Sequence, residues 1–280
     1  MRPDSLAVIG LGPAGGSIAW SAVRAGVSRV IGHARERGDA VQALKAGAVH
    51  ELADRAEDAV RGADLVVIAL PGGGGDLLAK LAPHLPPASF ITNLVEVARP
   101  VADAASAAGL TARWASSHLL QSVPGDGFAA ARLDPFGGVV VYVTPARTEG
   151  DGAAREVMHF WDDVLGAEPV RVAPADHDER IGWMEQLPRL LAAAVTEAYG
   201  ANGLGPTTWG AEARGMTDLV AGDPAVVARD LISNREAVQA ALAATTGALA
   251  TLGAAIAAGD QGRVVLLLEE ARRIRRGSDR

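Results

Sequence analysis

Three glycines near the amino terminus have the spacing of a phosphate-binding turn. Gly10, Gly12 and Gly15 form the pattern GxGxxG, directly after the apolar run LAVI and before a stretch that predicts a helix. In such turns the first glycine permits the tight turn, the second lets a pyrophosphate approach the backbone, and the third lets helix and strand pack closely. Because Gly is common in this chain, with 33 residues, the context predicts a dinucleotide site more strongly than the glycines themselves. A plain tight turn is the alternative.

The end of the second predicted strand indicates which dinucleotide binds. A site for NAD carries Asp or Glu there, because that carboxylate accepts hydrogen bonds from the ribose 2′-OH. Here the position is Ala34, with Arg35 and Arg37 following it. Two guanidinium groups can bind a 2′-phosphate through charge-assisted hydrogen bonds, so we expect NADP (NADPH) to be preferred over NAD. The alternative is that both arginines are solvated surface charge.

His118 is the candidate acid or base. Ligands of doubly wound sheets lie beyond the carboxyl ends of the strands, where this chain has Pro71 with its glycine-rich loop, Asn93, Ser117 and His118. We expect Pro71 and Asn93 to contact the cofactor and Ser117 to contact the substrate. Imidazole titrates near neutrality and can take or give the proton that accompanies hydride transfer. A structural histidine in a loop is the alternative.

The first part of the chain alternates apolar runs with helical stretches. This alternation predicts the strands and helices that must position these residues. The apolar runs are mostly uninterrupted, as in buried parallel strands, and residues 15–25 and 39–46 between them predict helices. The rhythm predicts an α/β fold with a doubly wound, Rossmann-type parallel sheet. The candidate strands are residues 6–10, 29–32, 64–70, 89–93, 138–143 and 169–172.

The second part of the chain predicts helices alone. Residues 176–199, 225–252 and 262–276 are rich in Ala and Leu, and Pro188 is expected to kink the first of these helices. We therefore predict an NAD(P)-binding domain over residues 1–173 and an all-helical substrate and dimerisation domain over residues 174–280. Residues 225–268 are more apolar than a surface layer requires, which predicts a homodimer. A single larger helical core is the alternative.

Composition excludes several classes of partner. A length of 280 residues suits two packed units, and a net charge of −7 disfavours nucleic acid or an anionic membrane as partner. The absence of cysteine excludes disulfides and thiolate metal sites, and no metal site is expected. The chain has neither an apolar run of roughly 18 residues nor a signal-peptide pattern, so we expect a soluble cytoplasmic protein with a small-molecule substrate.

Five segments resemble, in order and spacing, the prephenate and arogenate dehydrogenase family. They run from about Val8 to about Ala240 and read VIGLGPAGGSIA, ALP, SHLLQSVPGDGFAAARLDPFGG, DHDERIGWMEQLPRLLAAAV and MTDLVAGDPAVVARDLISNREAV. The resemblance implies an NAD(P)-binding domain followed by a helical domain that makes a dimer. It implies oxidation of a cyclohexadienyl alcohol by hydride transfer, with loss of CO2. It also places the catalytic histidine of the family at His118.

The chain departs from this family where the substrate would bind. Glu96 stands where the family has a serine that contacts the substrate hydroxyl, and Asp218 replaces an arginine that holds a substrate carboxylate. Glu185, Gln186 and Arg189 replace a serine and two histidines. A carboxylate that faces a carboxylate substrate weakens binding, so these departures disfavour ordinary prephenate turnover. The alternative is that Glu185 and Arg189 pair along their helix and Asp218 caps a turn.

Three hypotheses follow. The first is an NADP-dependent oxidoreductase of specialised metabolism with catalytic His118 and Glu96, whose substrate bears an amine or imine; 4-amino-4-deoxyprephenate is one candidate. The second is an ordinary prephenate or arogenate dehydrogenase of tyrosine biosynthesis, in which Arg189 or Arg214 binds the carboxylate. The third is a non-catalytic NADP-binding sensor. A retained His118 favours an enzyme.

Overall fold

A single eight-stranded sheet organises the first part of the molecule. The computed structural model describes residues 2–121, 123–220 and 222–277, and the strands below are those of these residues. The strands are β1 Ser5–Ile9, β2 Arg29–His33, β3 Glu51–Leu52, β4 Leu65–Ile68, β5 Phe90–Leu94, β6 Trp114–Leu119, β7 Val140–Pro145 and β8 Glu168–Arg171. Their order is β3-β2-β1-β4-β5-β6-β7-β8. Every neighbouring pair is parallel except β6 and β7, which are antiparallel.

Helices cover both faces of this sheet. Leu6 and Val8 of β1 point into one apolar cluster, and Ala7 and Ile9 point into another, because successive strand residues face opposite sides. Helices α1, α2 and α6 cover the first face, whereas α3, α4 and α5 cover the second. The helices are α1 Pro13–Arg24, α2 Arg37–Lys45, α3 Ala56–Ala59, α4 Gly75–Leu81, α5 Ala98–Ala107, α6 Asp151–His159, α7 Pro174–Ile181, α8 Leu187–Ala201, α9 Ala211–Thr217, α10 Pro224–Ser233, α11 Arg235–Ala257 and α12 Gln261–Arg275.

The predicted doubly wound α/β fold is confirmed, with two corrections in the strands. Neither β6 nor the two-residue β3 was among the predicted strands; three residues of β6 are polar, namely Ser116, Ser117 and His118, all buried. The sheet is also not wholly parallel. In its described residues the connection from β6 to β7, residues 120–139, has a 3₁₀ turn at Phe128–Ala130 and no α-helix, whereas a parallel neighbour is usually reached through a helical crossover.

Two of the predicted long helices are interrupted. The stretch over residues 176–199 is divided by a π-helical turn at Gly182–Gln186, immediately before Pro188. Pro188 lacks the N–H that a regular α-helix would use there, so the wider turn lies where the sequence predicted a kink. The stretch over residues 225–252 breaks at Asn234, which lies between α10 and α11 with φ of −112°.

The chain forms two compact units. The first comprises Met1–Ile181 and Gly222–Ser233, and the second comprises Gly182–Ala221 and Asn234–Arg280. Helices α7 and α10, which the sequence assigned to residues 174–280, therefore pack within the first unit. The chain passes between the units after residues 181, 221 and 233.

Helix α11 is exposed and apolar. It has 23 residues, and its most apolar 18 residues have a mean hydropathy of 1.6 with 11% of them buried. By length and composition this one helix of the described residues is apolar enough to cross a membrane, which corrects the prediction that the chain holds no such stretch. Thr245 and Thr246 interrupt the apolar run but lower its mean hydropathy little. A single helix of this kind is weak grounds for a membrane span.

Candidate active site

The first glycine of the GxGxxG motif makes the turn that follows β1. Gly10 has φ of +98°, a left-handed conformation that favours glycine. Its amide donates a hydrogen bond to the His33 carbonyl oxygen at 2.8 Å, and a Cβ at this position would overlap the Ala69 carbonyl. Gly10 thus lets the ends of β1, β2 and β4 approach one another.

The other two glycines have opposite surroundings. A Cβ on Gly15 would overlap the Gly10 carbonyl oxygen and crowd Ala69, so Gly15 is required for the packing of α1 on the strand turn. A Cβ on Gly12 would meet nothing within 4 Å. Gly12 is the N-cap of α1, where no side chain caps the helix and the first turn holds no acidic residue. This geometry fits a pyrophosphate at the helix N-terminus.

A cleft of about 980 Å³ opens beside this turn, wholly within the first unit. Residues from the ends of β1, β2 and β4 line it, together with residues 123 and 125–127. From the predicted cofactor site, the cleft brings together Gly10, Gly12, Gly15, Ala34, Arg35 and Pro71. Neither Arg37 nor Asn93 is among its lining residues. A dinucleotide fits a cleft of this size.

A carboxylate, that of Glu36, also lies just after the end of β2, and it was not among the predicted site residues. Ala34 lies at the predicted ribose position, and Arg35 beside it is almost fully exposed, with 93% of its side chain accessible. Its guanidinium contacts the Glu36 carboxylate at 3.3 Å. Glu36 lines the cleft, whereas Arg37 begins α2 on the surface. The cleft therefore holds both signs of charge where the cofactor ribose would lie.

Asn93 and Ser117 are fully buried and hydrogen-bonded within the first unit, and their contacts with cofactor and substrate stay predictions. The Asn93 side chain donates to the Gly73 carbonyl and accepts from Trp114 Nε1 at 2.7 Å, so it holds the glycine-rich loop against β5. Ser117 Oγ lies 2.7 Å from Thr92 Oγ1 and accepts from Trp161 Nε1 at 2.7 Å. Successive residues of a strand face opposite sides, so Ser117 points away from the face on which His118 lies.

His118 belongs to a chain of buried polar groups that the sequence analysis did not identify. Its Nδ1 lies 3.1 Å from Nε2 of His177, and His177 Nδ1 lies 2.8 Å from an Asp178 carboxylate oxygen. Both partners, on α7, are fully buried, and His118 is 6% exposed. This arrangement of carboxylate, imidazole and imidazole is typical of a group that must hold one tautomer.

Asp178 also fixes the loop between β5 and α5. Its carboxylate accepts hydrogen bonds from the Ala98 amide at 2.8 Å and the Arg99 amide at 3.1 Å, at the start of α5. Burial alone would raise the pKa of Asp178, but the hydrogen bonds from His177 and these two amides outweigh it and lower the pKa. Asp178 is therefore ionised at neutral pH, and its charge is held beside the two rings.

Glu96 lies in this same loop, half-buried, at the end of β5. The residue before it, Val95, donates its amide to the Ser117 carbonyl oxygen at 3.0 Å. Glu96 and His118 therefore lie one residue beyond a backbone hydrogen bond that joins neighbouring parallel strands. Glu96 lies two residues after the end of β5, and His118 lies within β6, one residue before the end of that strand.

Comparison with known proteins identifies the family. The model for the nucleotide-binding domain of prephenate dehydrogenase matches residues 19–168, which is more than half of the chain. The chain belongs to the prephenate dehydrogenase family. It is accordingly a dehydrogenase of that type, and the match begins just after the GxGxxG turn. Comparison with curated proteins gave no match.

Solved structures of this family have the same fold. An arogenate dehydrogenase from Synechocystis is 22% identical, with 97% of this chain and 98% of that chain covered and a TM-score of 0.82. A prephenate dehydrogenase from A. aeolicus, in complex with hydroxyphenyl propionate and NAD+, is 20% identical, with 98% of each chain covered and a TM-score of 0.86. A putative prephenate dehydrogenase from Corynebacterium glutamicum is 24% identical, with 99% of this chain and 90% of that chain covered and a TM-score of 0.85.

In the second unit, the residues that depart from the prephenate dehydrogenase pattern have three different surroundings. Glu185 and Arg189 form an ion pair at 3.1 Å, one helical turn apart, as the pairing alternative expected. Gln186 is fully buried and accepts a hydrogen bond from Asn234 at 2.7 Å, and its role as a substrate contact stays a prediction. Asp218 is exposed at the start of a 3₁₀ turn, Asp218–Val220.

Arg214, the other candidate for carboxylate binding, is engaged by its own loop. Its guanidinium donates to the Trp209 carbonyl oxygen at 3.1 Å and to the Pro206 carbonyl oxygen at 3.4 Å. The Arg189 guanidinium instead contacts a carboxylate, that of Glu185 in the π-helical turn before α8.

Proposed function

We propose that this member of the prephenate dehydrogenase family is an NADP-dependent oxidoreductase whose substrate bears an amine or imine. The observation that carries the proposal is the position of Glu96 at the end of β5, one residue beyond the backbone bond that also precedes His118. The family has a hydroxyl at this position. A carboxylate there favours a cationic nitrogen over a neutral hydroxyl.

His118 and Glu96 have different tasks in this proposal. A bound nicotinamide ring would accept or supply the hydride. His118 takes a proton from the substrate when the substrate is oxidised and returns it in the reverse direction. Glu96 pairs with an ammonium, or with the iminium-like charge that develops during hydride transfer, and stabilises that charge electrostatically.

The preference for NADP is supported by the end of β2. Ala34 replaces the carboxylate that would accept hydrogen bonds from a ribose 2′-OH, and the exposed guanidinium of Arg35 lies in the cleft lining. A 2′-phosphate competes with Glu36 for Arg35, because a doubly charged group with three acceptor oxygens attracts a guanidinium more strongly than an exposed carboxylate does.

The candidate substrate is 4-amino-4-deoxyprephenate, the amine counterpart of prephenate, in a specialised biosynthetic pathway. One observation favours the second candidate, an ordinary prephenate or arogenate dehydrogenase. Arg189 forms an ion pair with Glu185. The Glu185 carboxylate therefore repels an anionic substrate less than an unpaired carboxylate would. The contact of His118 with the buried ring of His177 disfavours a non-catalytic sensor, because such a sensor does not require a fixed imidazole.

A cofactor-linked assay tests the proposal. Purified protein is incubated with NADP+ or NAD+ and with prephenate, arogenate or 4-amino-4-deoxyprephenate, and absorbance of the reduced nicotinamide is followed. The reverse reaction is followed with NADPH or NADH and simple cyclic imines. We expect turnover with the nitrogenous substrates and NADP(H). Efficient turnover of prephenate, with nitrogenous substrates ignored, would establish the ordinary dehydrogenase instead.

We further propose that the protein works in the cytoplasm as a homodimer through its C-terminal helices. Leu242, Leu249 and Ile256 of α11 are spaced by seven residues and are 40%, 56% and 66% exposed. Two helical turns separate successive members, so the three side chains form one apolar stripe. A second copy of the chain, which carries the same stripe, buries it without any further partner.

A further inference from the structure

The buried ring pair of His118 and His177 has a direction that follows from the carboxylate at its end. Asp178 is ionised at neutral pH, so it only accepts hydrogen bonds, and the contact at 2.8 Å must use an N–H on His177 Nδ1. In the neutral ring, Nε2 of His177 is then an acceptor. Its contact at 3.1 Å must use an N–H on Nδ1 of His118. The lone pair of neutral His118 therefore lies on Nε2.

We propose that His177 and Asp178 are positioning residues that hold His118 in the tautomer with a basic Nε2. The proposal rests on the proposed function of His118 as the proton-transfer group. In the oxidation direction the substrate N–H or O–H bond breaks and a bond from that proton to His118 Nε2 forms. His118 becomes a cation while its Nδ1 proton stays on the bond to His177. The negative charge of Asp178 stabilises the new cation through the intervening ring.

The surroundings of the two rings contain further polar and charged groups. The Tyr142 ring lies edge-on to His177, 6.1 Å between centroids, and the Arg180 guanidinium lies 5.9 Å from the Tyr142 ring centre. The half-exposed side chain of Arg99 contacts the Asp178 carboxylate at 3.1 Å. Glu96 lies in the loop that Asp178 caps. Arg99 supplies a matched control, because its removal leaves the contact between Asp178 and His177 in place.

Tautomers can be measured without any substrate. In protein labelled with ¹⁵N-histidine, long-range ¹H–¹⁵N spectra distinguish the two ring nitrogens of the 6 histidines, and loss of a signal in His118→Gln and His177→Gln assigns the pair. We expect the proton on Nδ1 in both rings. In Asp178→Asn the new amide can donate to His177 Nδ1, which reverses both tautomers. An Nε2 proton on neutral His118 in the native protein, or no change in Asp178→Asn, would overturn the proposal.

Kinetics with the best substrate give a second test. We expect His177→Leu and Asp178→Asn to lower kcat by about 100-fold or more, with the low-pH limb of the kcat/KM profile moved to lower pH. His177→Gln keeps one acceptor and one donor and should recover part of the rate, while Arg99→Ala should stay within about threefold of the native rate. A Leu variant as active as Arg99→Ala, at equal thermal stability, contradicts the positioning role. If no substrate is turned over, the proposed function fails while the tautomers still decide this inference.

Discussion

The Val95 amide donates a hydrogen bond to the Ser117 carbonyl oxygen, and this bond ties the end of β5 to the end of β6. Glu96 and His118 follow these two residues along neighbouring parallel strands. Asp178 supports both strand ends, since it caps α5 just beyond Glu96 and contacts the ring that supports His118. One carboxylate on α7 thus positions both residues of the predicted catalytic pair.

Replacing Glu96 tests whether its charge matters in the reaction. Glu96→Gln keeps the shape and removes the charge, so kcat and kcat/KM on a nitrogenous substrate should fall together if the contact forms mainly in the transition state. His118→Ala should lower kcat by about 100-fold or more. Steady-state kinetics measure both, with Glu149→Gln, an exposed carboxylate before α6, as control. Full activity of Glu96→Gln on every accepted amine would rule out the amine proposal.

Gly12 separates cofactor binding from folding. Gly12→Ala places a methyl group in open space, where a pyrophosphate would approach, so we expect at least about tenfold weaker cofactor binding, with a loss of at most about 1 kcal/mol in the free energy of unfolding because alanine is a poorer N-cap than glycine. Calorimetry with NADPH and urea unfolding measure the two quantities. Gly152→Ala, also in open space but in α6, should leave NADPH binding unchanged and raise the free energy of unfolding by up to about 1 kcal/mol, because alanine has the higher helix propensity. Equal NADPH affinity of Gly12→Ala and native protein would contradict a phosphate site at this turn.

Arg35 tests the choice of cofactor. We expect NADPH to bind at least about tenfold more tightly than NADH, a difference of about 1.4 kcal/mol. Arg35→Ala should weaken NADPH and leave NADH nearly unchanged, whereas Glu36→Gln should strengthen NADPH because it removes the competing carboxylate. Fluorescence titration of both nucleotides measures these affinities. A native protein that prefers NADH would show that Glu36, not Arg35, selects the cofactor.

Asp178 predicts a pH-dependent contribution to stability. Its pKa is lower in the folded protein than in the unfolded chain, so its stabilisation is complete above the unfolded value and is lost as pH falls through the folded value. We expect Asp178→Asn to cost about 1–3 kcal/mol at pH 7, and this difference should shrink below about pH 4. Urea unfolding at a series of pH values measures it. A difference that stays constant down to pH 3 would contradict the lowered pKa.

The apolar stripe of α11 predicts the assembly. Leu249→Gln should weaken self-association, so sedimentation velocity at micromolar concentration should show monomer where the native protein shows dimer. Leu44→Gln replaces another exposed leucine, on α2, that is 43% exposed; this control should stay dimeric. A native monomer, or native protein that cosediments with lipid vesicles, would show that a second copy does not cover the stripe.

Much of the first unit could be predicted from the sequence, because apolar strands and a glycine turn are local signals. Runs such as LAVI at β1 and LVVI at β4 are buried on both faces, so their composition alone marks them. Strand β6 was harder. Ser117 is fully buried in this strand because Thr92 and Trp161 satisfy its hydroxyl, and those partners are distant in sequence.

The support behind His118 could not be predicted for the same reason. His177 lies 59 residues further along the chain, and only the fold brings the rings together. The adjacent pair of His177 and Asp178 was visible in the sequence, but a pattern of two neighbouring polar residues does not reveal their full burial. The local signal in the sequence is Ile181, an apolar residue one helical turn after His177 and Asp178. It marks the buried face of α7, on which all three residues lie.

Helix α10 returns to the first unit after the chain has left it, and there the Arg229 guanidinium packs against Gly72 in the loop that follows β4. A nucleotide-binding fragment ended at residue 181 would therefore lack part of its own surface and expose the glycine-rich loop. The two units are interleaved in sequence, so no single cut yields either of them whole. Residues 182–221 are joined to the first unit at both ends, so unfolding of the first unit frees both ends of this segment. Proteolysis within the segment would leave the two pieces associated, because α10 packs in the first unit.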